Sequence, residues 1–193
     1  MKEARPEQIW TIPNVLTMIR LALIPVYWVL MAQGRPYWAL AVYVSASLTD
    51  LADGYIARKY HQITNFGKLM DPVADKVMVL SVMLSFVLPM GGRDPVLPWA
   101  PFVILLSKEL LMMLGGAFML KKGVVVYALK IGKYAQLVMV LSLIASFFYE
   151  TWERLRFPLH LILLWTAVGL TLCALVFYAH RCFISLKQKK KDF

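Results

Sequence analysis

Four aspartates stand out in a chain that has few acids. Asp50, Asp53, Asp71 and Asp75 fall within "DLADGYIARKYHQITNFGKLMDPVADK", whereas all 193 residues contain only 11 Asp and Glu. On a helix, positions i, i+3, i+4 and i+7 share a face, and Asp50, Asp53, Gly54 and Ala57 have that spacing. Asp71 and Asp75, four apart, share a face of a following helix. The connection between them is short enough to make the two helices antiparallel neighbours. Facing each other, they place four carboxylates in one small polar pocket. Like charges that close repel and are costly to bury, so the pocket needs a counter-charge. Mg²⁺ or Mn²⁺ suits it: these hard ions take oxygen ligands, keep some waters and share their shell with substrate phosphates. Two ions about 3.5–4 Å apart clamp a diphosphate and stabilise both attacking and leaving oxygens. Gly54 and Ala57 are small and leave a floor for a nucleotide, while Arg58 at the mouth can fork onto a phosphate.

Other chemistries are available to aspartates. A lone aspartate at a helix end is ordinarily a cap or a solvated residue. A carboxylate pair in an apolar chain can also be the ion or proton relay of a transporter. Transporter sites, however, lie near the bilayer midplane at the interface of internal repeats. Here the motif falls at the ends of apolar segments, and no internal repeat is visible.

The elements that must position these residues are apolar. Sixty per cent of the chain is hydrophobic and 17% is charged, against about 25% charged in soluble domains. The mean hydropathy is +0.64. Six stretches are read as crossing a hydrocarbon core about 30 Å thick: Asn14–Gln33, Tyr37–Ala57, Pro72–Pro89, Trp99–Leu120, Ile131–Tyr149 and Leu159–Leu186. The expected fold class is all-α: a polytopic membrane protein, a six-transmembrane-helix bundle with its active site at the cytoplasmic interface. Residues 1–193 form a single domain in this reading, ending in a basic tail over 187–193. Trp10, Trp38, Trp99, Tyr149 and Trp152 fall near span ends, where an aromatic belt belongs. The first stretch is too long for a signal-peptide core and lacks a small-residue cleavage site. Cys173 and Cys182, in or at the end of the last stretch, read as buried thiols rather than a disulfide.

A net charge of +10 raises the question of nucleic acid. Its distribution answers against it. Over six spans, one side collects twelve Lys and Arg, including the "KQKKK" tail, and the other only Arg35, Arg93, Arg154 and Arg156. By the positive-inside rule this expects a multi-pass protein of the cytoplasmic membrane with both termini cytoplasmic. The tail then leans on anionic headgroups.

The spacing D-x2-D-G-x2-A-R-x8-G-x3-D-x3-D fits without a gap through Asp50, Asp53, Gly54, Ala57, Arg58, Gly67, Asp71 and Asp75. Together with "IPNVLTMIR" and "NFGKLMDPVADK", it resembles the signature of the CDP-alcohol phosphotransferase family. Within that family the chain looks most like the phosphatidylglycerophosphate synthases, with the cardiolipin synthases close behind. The resemblance implies that Asp50, Asp53 and Asp71 bind a pair of Mg²⁺ or Mn²⁺ ions. Asp75 completes the second metal site and serves as general base. It implies that Gly54, Arg58 and Thr64 contact the CDP moiety of CDP-diacylglycerol, and that Ala57 and Gly67 belong to the same surface. Pro13, Asn14, Val15 and Leu16, with Thr17 beside them, line the nucleotide site. It also implies a homodimer.

The implied reaction transfers the phosphatidyl group to glycerol 3-phosphate, releasing CMP. Within the family, the alternative acceptors are phosphatidylglycerol (a cardiolipin synthase), inositol phosphate and serine. A phosphorylated acceptor calls for cations, and Lys108, Lys130 and Lys133 are the candidates for its phosphate, with Arg20 a weaker one. Intramembrane cations are costly and therefore functional candidates. Lys108–Glu109 can equally be a neighbouring pair, and Lys130 and Lys133 can snorkel. Related synthases often carry an arginine–glutamate pair where this chain has Lys108–Glu109. They also carry a G-K-x-x-T pattern where Lys130 matches the lysine and Lys133 replaces the threonine.

Overall fold

The computed structural model describes residues 11–59, 65–122 and 130–189. Among them are seven helices: α1 (Ile12–Ala32), α2 (Pro36–Lys59), α3 (Asn65–Val87), α4 (Trp99–Lys121), α5 (Lys130–Ser146), α6 (Tyr149–Arg154) and α7 (Leu159–Lys189). The all-α expectation therefore holds.

The expected number of spans does not. Among the described residues only three helices are long and apolar enough to cross a membrane, over Asn14–Ala32, Trp99–Gly116 and Leu159–Ser185. The six-span bundle is corrected accordingly. The physical reason lies in the aspartate motif itself. α2 and α3 have 24 and 23 residues, so length is not lacking. Their apolar runs are cut by Asp50, Asp53, Arg58 and Lys59 in one, and by Lys68, Asp71, Asp75 and Lys76 in the other. Each such residue at the centre of a hydrocarbon-spanning helix costs about 2.5–3.5 kcal/mol. α5 is shortened differently: its apolar part, Ile131–Ser146, is too short, and Tyr149–Arg154 forms a separate helix instead of extending it. The twelve-to-four partition of basic residues belongs to six crossings and sets no orientation for the three spans among the described residues.

The chain forms two compact units, Met1–Pro95 and Val96–Phe193. In the first, α1 packs against both α2 and α3. Thr11 caps α1, accepting from the Asn14 N–H at 3.5 Å, and Pro13 sits in the first turn, where its missing N–H costs nothing. The other end closes by a Schellman arrangement. Arg35 N–H bonds Leu30 O at 2.9 Å, Gly34 N–H bonds Met31 O at 3.1 Å, and Gly34 takes φ 68. α2 buries Ala39, Tyr43 and Ala46 at i, i+4 and i+7. α3 buries Ala74, Met78, Val82 and Phe86 in the same manner.

After α3 the chain reverses through Met90–Arg93, whose backbones exchange two hydrogen bonds of 3.1 Å. Such a two-residue reversal needs positive φ at both central positions. Gly91 and Gly92 supply 61 and 76. The reversal is held by Arg93, which donates to Ser85 O at 3.0 Å and stacks 4.5 Å above the Phe86 ring. Gly91 also lies against the α1–α2 turn, so that a Cβ there would meet Met31 O at 2.4 Å.

In the second unit α7 packs along α5 and α4. Two of the unit's buried hydroxyls bond backbone carbonyls. Ser146 Oγ donates to Ser142 O and Ser142 Oγ to His160 O, both at 2.9 Å. Exposed apolar side chains cover the outer faces of the spans, such as Leu111, Met113 and Leu114 on α4 and Val176 and Phe177 on α7. Lipid accepts such faces, whereas water would not.

Gly91→Ala is expected to lower stability by about 2 kcal/mol, the combined effect of positive φ and the clash with Met31 O. Gly92 has open space around it, and Gly92→Ala should cost only the backbone term, about 1 kcal/mol. Thermal unfolding of both variants in detergent would measure this. Equal effects would show that the approach of the two turns does not matter.

Candidate active site

The aspartates are carried by two helix ends, and the question is what lies at their height. Helix rise is about 1.5 Å per residue, so in the α1–α2 hairpin, positions equidistant from Gly34 are level. Asn14 is then level with Gly54, and Thr17 with Leu51, between Asp50 and Asp53. α1 and α3 run in the same direction and are pinned by Tyr27 Oη and Ser85 Oγ, 2.6 Å apart and buried. Because Ser85 donates to Val82 O at 2.7 Å, the phenol is the donor in that pair. Ten residues before each pinned position stand Thr17 and Asp75, which are level to within about one turn. Consistently, the Tyr43 phenol on α2 lies in electrostatic range of the Asp75 carboxylate on α3 and of Tyr27 on α1.

On α2 the helix spacing of the buried residues runs on into the motif. Ala46 is followed by Asp50 at i+4, Asp53 at i+7 and then Ala57. On α3, Asp71 precedes Ala74 by three and Met78 by seven, the spacing of one helix face, while Asp75 itself is half-buried. Asp50, Asp53, Gly54, Ala57, Arg58, Gly67 and Asp71 are described as helix positions only; their side chains lie outside the described residues. Thr64 lies outside them altogether, in the α2–α3 connection.

α1 faces this region with a polar stripe. Asn14, Thr17 and Arg20, three apart, are all buried, whereas Tyr27 and Met31 continue the stripe as apolar core. Val15 points to the exposed side of α1 and Leu16 is half-buried. The side chain of Pro13 is outside the described residues. Arg20, a weak candidate by sequence, is only 1% exposed and belongs to this stripe. Its signal was there: it sits three positions after Thr17 and six after Asn14 and is a cation within an apolar span, which demands a polar environment.

The three lysines assigned to an acceptor phosphate all belong to the second unit. Lys108 Nζ bonds Glu109 Oε1, the neighbouring-pair alternative. Lys133 is exposed, and the side chain of Lys130 is outside the described residues.

Among the described residues no group of three or more His, Cys, Asp or Glu is gathered to hold a metal; the side chains of Asp50, Asp53 and Asp71 are not among them. The helix positions nevertheless fit a hard divalent ion. Asp50 and Asp53 at i, i+3 on α2 and Asp71 and Asp75 at i, i+4 on α3 are helix positions level with a buried amide and hydroxyl on α1. That is an all-oxygen donor set of the kind Mg²⁺ and Mn²⁺ take.

Comparison with known proteins adds a relationship to this geometry. Residues 10–173 match the model of the CDP-alcohol phosphatidyltransferase family. The chain is 30% identical over 183 residues to a Bacillus subtilis CDP-diacylglycerol–glycerol-3-phosphate 3-phosphatidyltransferase, covering 84% of this chain and 90% of that protein. It is 40% identical over 104 residues to a Rickettsia bellii protein of the same name, over 52% of this chain and 54% of the relative. It is also 33% identical over 116 residues to a Streptomyces coelicolor cardiolipin synthase (CMP-forming), over 57% of this chain and 52% of that protein.

Metal binding is testable without substrate. A ligand that binds only the folded state stabilises it by about 2.7 kcal/mol at a hundred times its dissociation constant. Mn²⁺ is expected to raise the unfolding temperature of the parent protein, and this gain should vanish in Asp53→Asn and Asp71→Asn while surviving in Lys133→Ala. An Mn²⁺ response undiminished in both aspartate variants would place the ion elsewhere.

Proposed function

The chain belongs to the CDP-alcohol phosphatidyltransferase family, and from that premise we propose that it transfers the phosphatidyl group of CDP-diacylglycerol to glycerol 3-phosphate, giving phosphatidylglycerophosphate and CMP. The observation that carries the reading is the common height of Asn14 and Thr17 on α1, Asp50 and Asp53 on α2, and Asp71 and Asp75 on α3.

Asp50, Asp53 and Asp71 would hold two divalent ions, with Asp75 completing the second site. When bound, the ions supply positive charge to the diphosphate and so favour its cleavage. Gly54 and Ala57 leave the nucleotide room against α2, and the buried Asn14 and Thr17 line its other side. Arg58 binds the phosphate that leaves with CMP. Asp75 accepts the proton of the acceptor hydroxyl as its oxygen forms the new bond to phosphorus, and the bond to the CMP oxygen breaks. The protein's own contribution is positioning and electrostatics, as is usual for phosphoryl-type transfer. Helix ends that carry charge beside apolar spans suit a reaction in which one substrate is a lipid and the other is dissolved in water.

A second acceptor is favoured by two observations. The relatives include a cardiolipin synthase, and Lys108 is engaged by Glu109 rather than open to a phosphate. Transfer to phosphatidylglycerol is therefore the alternative, with the same aspartates in the same roles.

CMP release from CDP-diacylglycerol, with each acceptor offered alone, tests the proposal. Release with glycerol 3-phosphate is expected. Release with phosphatidylglycerol alone would keep the reaction type and replace the acceptor. Asp75→Asn should lower turnover by roughly 10²–10⁴-fold, the range for loss of a general base. Full turnover in that variant would remove Asp75 from the role.

A further inference from the structure

The connection from α5 to α7 carries a second feature, unrelated to the aspartates. α6 has only six residues and is fixed in place. Trp152 Nε1 donates to Ala145 O at 2.9 Å, tying α6 to the last turn of α5. α6 closes by the same Schellman arrangement that ends α1, with Phe157 N–H to Trp152 O at 3.1 Å and Arg156 N–H to Glu153 O at 3.0 Å. In α1 the residue with positive φ is Gly34, the default choice. Here it is Arg156, at φ 52, the one non-glycine residue in that region among the described residues. A Cβ is strained there, so the arginine side chain comes at the expense of an easier backbone.

That closure determines what faces outward. Leu155 is 64% and Phe157 53% exposed, each beside an arginine, and the span of α7 begins two residues later at Leu159. The four residues Arg154–Phe157 thus alternate cation and apolar side chain at the edge of a membrane-crossing helix. Among the described residues neither guanidinium has a hydrogen bond, ion pair or ring partner. Glu150, which accepts from Tyr149 Oη at 3.3 Å, and Glu153 share α6 with Arg154. The local charge therefore sums to zero, and attraction here is a matter of short-range contact rather than of a long-range field.

We propose that Arg154–Phe157 is a docking site for an anionic phospholipid. Leu155 and Phe157 enter the boundary between headgroups and acyl chains. Arg154 and Arg156 hold the lipid phosphate, the anion that a planar guanidinium matches in two-point contact. At that range a headgroup ammonium such as choline's would repel both guanidiniums, so an anionic headgroup is the one that fits. The site goes beyond the transfer reaction and does not depend on it.

Native mass spectrometry of the full-length protein, released from micelles containing either phosphatidylglycerol or phosphatidylcholine, tests this. Arg154→Gln and Arg156→Gly are each expected to weaken phosphatidylglycerol retention about fivefold, the effect of one basic residue at a membrane surface. Phosphatidylcholine retention should not change, and inorganic phosphate should not displace the lipid. Arg156→Gly also places glycine at the position with positive φ, so it folds at least as well as the parent, and its loss of lipid cannot be ascribed to unfolding. Unchanged phosphatidylglycerol retention in Arg156→Gly overturns the proposal. An equal fall for both lipids does the same, and displacement by phosphate would make it a site for a soluble anion.

Discussion

Carboxylates in an apolar chain can be kept only at helix ends, or among groups that repay their desolvation, and the first unit is arranged around that constraint. α2 and α3 meet it by giving up their claim to cross the membrane: each has the length of a span and loses it to the aspartate-bearing turns. α1 meets it from the other side. Its outer face is apolar enough to span, yet the face turned inward at its N-terminal half is Asn14, Thr17 and Arg20, all buried. Polar groups are thus gathered at one end of the three helices, and apolar packing of Tyr27, Met31, Ala39, Met83 and Phe86 is left to the rest.

Helix height is what makes this gathering possible, and it is set far from the aspartates. The glycine contact between the α1–α2 turn and the Met90–Arg93 reversal fixes one end of the unit. The Tyr27–Ser85 bond then sets α1 against α3, with Arg93 bonding and stacking onto the same turn of α3. A shift of two turns, about 11 Å, would take Thr17 out of level with Asp75. Reactions that depend on placing a diphosphate, a base and an acceptor oxygen lose rate steeply with smaller displacements than that. A buried hydroxyl pair about three turns away, and glycines further off still, therefore bear on the chemistry without touching it.

The second unit obeys a different rule. In hydrocarbon no water is at hand for exposed backbone or hydroxyl groups. Ser142 and Ser146 turn their hydroxyls onto carbonyls, and Lys108 takes its charge partner from the adjacent residue, Glu109. Lys108 is neutralised where it occurs and Lys133 is exposed, so the sequence positions of Lys108, Lys130 and Lys133 do not by themselves make an acceptor site.

Much was legible in the residues alone. Helical character followed from composition and period, and membership of the family followed from the unbroken spacing of Asp50 to Asp75, later matched over residues 10–173. Spacing carries that much because i, i+3 and i+4 relations are properties of a single helix. The number of spans was not legible from apolar length alone. An apolar run reports hydrophobicity but not whether the charges at its end remain outside the hydrocarbon, and α2 and α3 fall short for that reason, whereas the apolar part of α5 is too short. Which residues of "IPNVLTMIR" turn inward, the weight of Arg20 and the common height of three helix ends are relations between elements. They depend on two turns and one buried hydrogen bond whose partners stand 58 residues apart. Local pattern determined what this protein is made of and which chemistry it carries; only tertiary packing decided which of those groups stand level with one another.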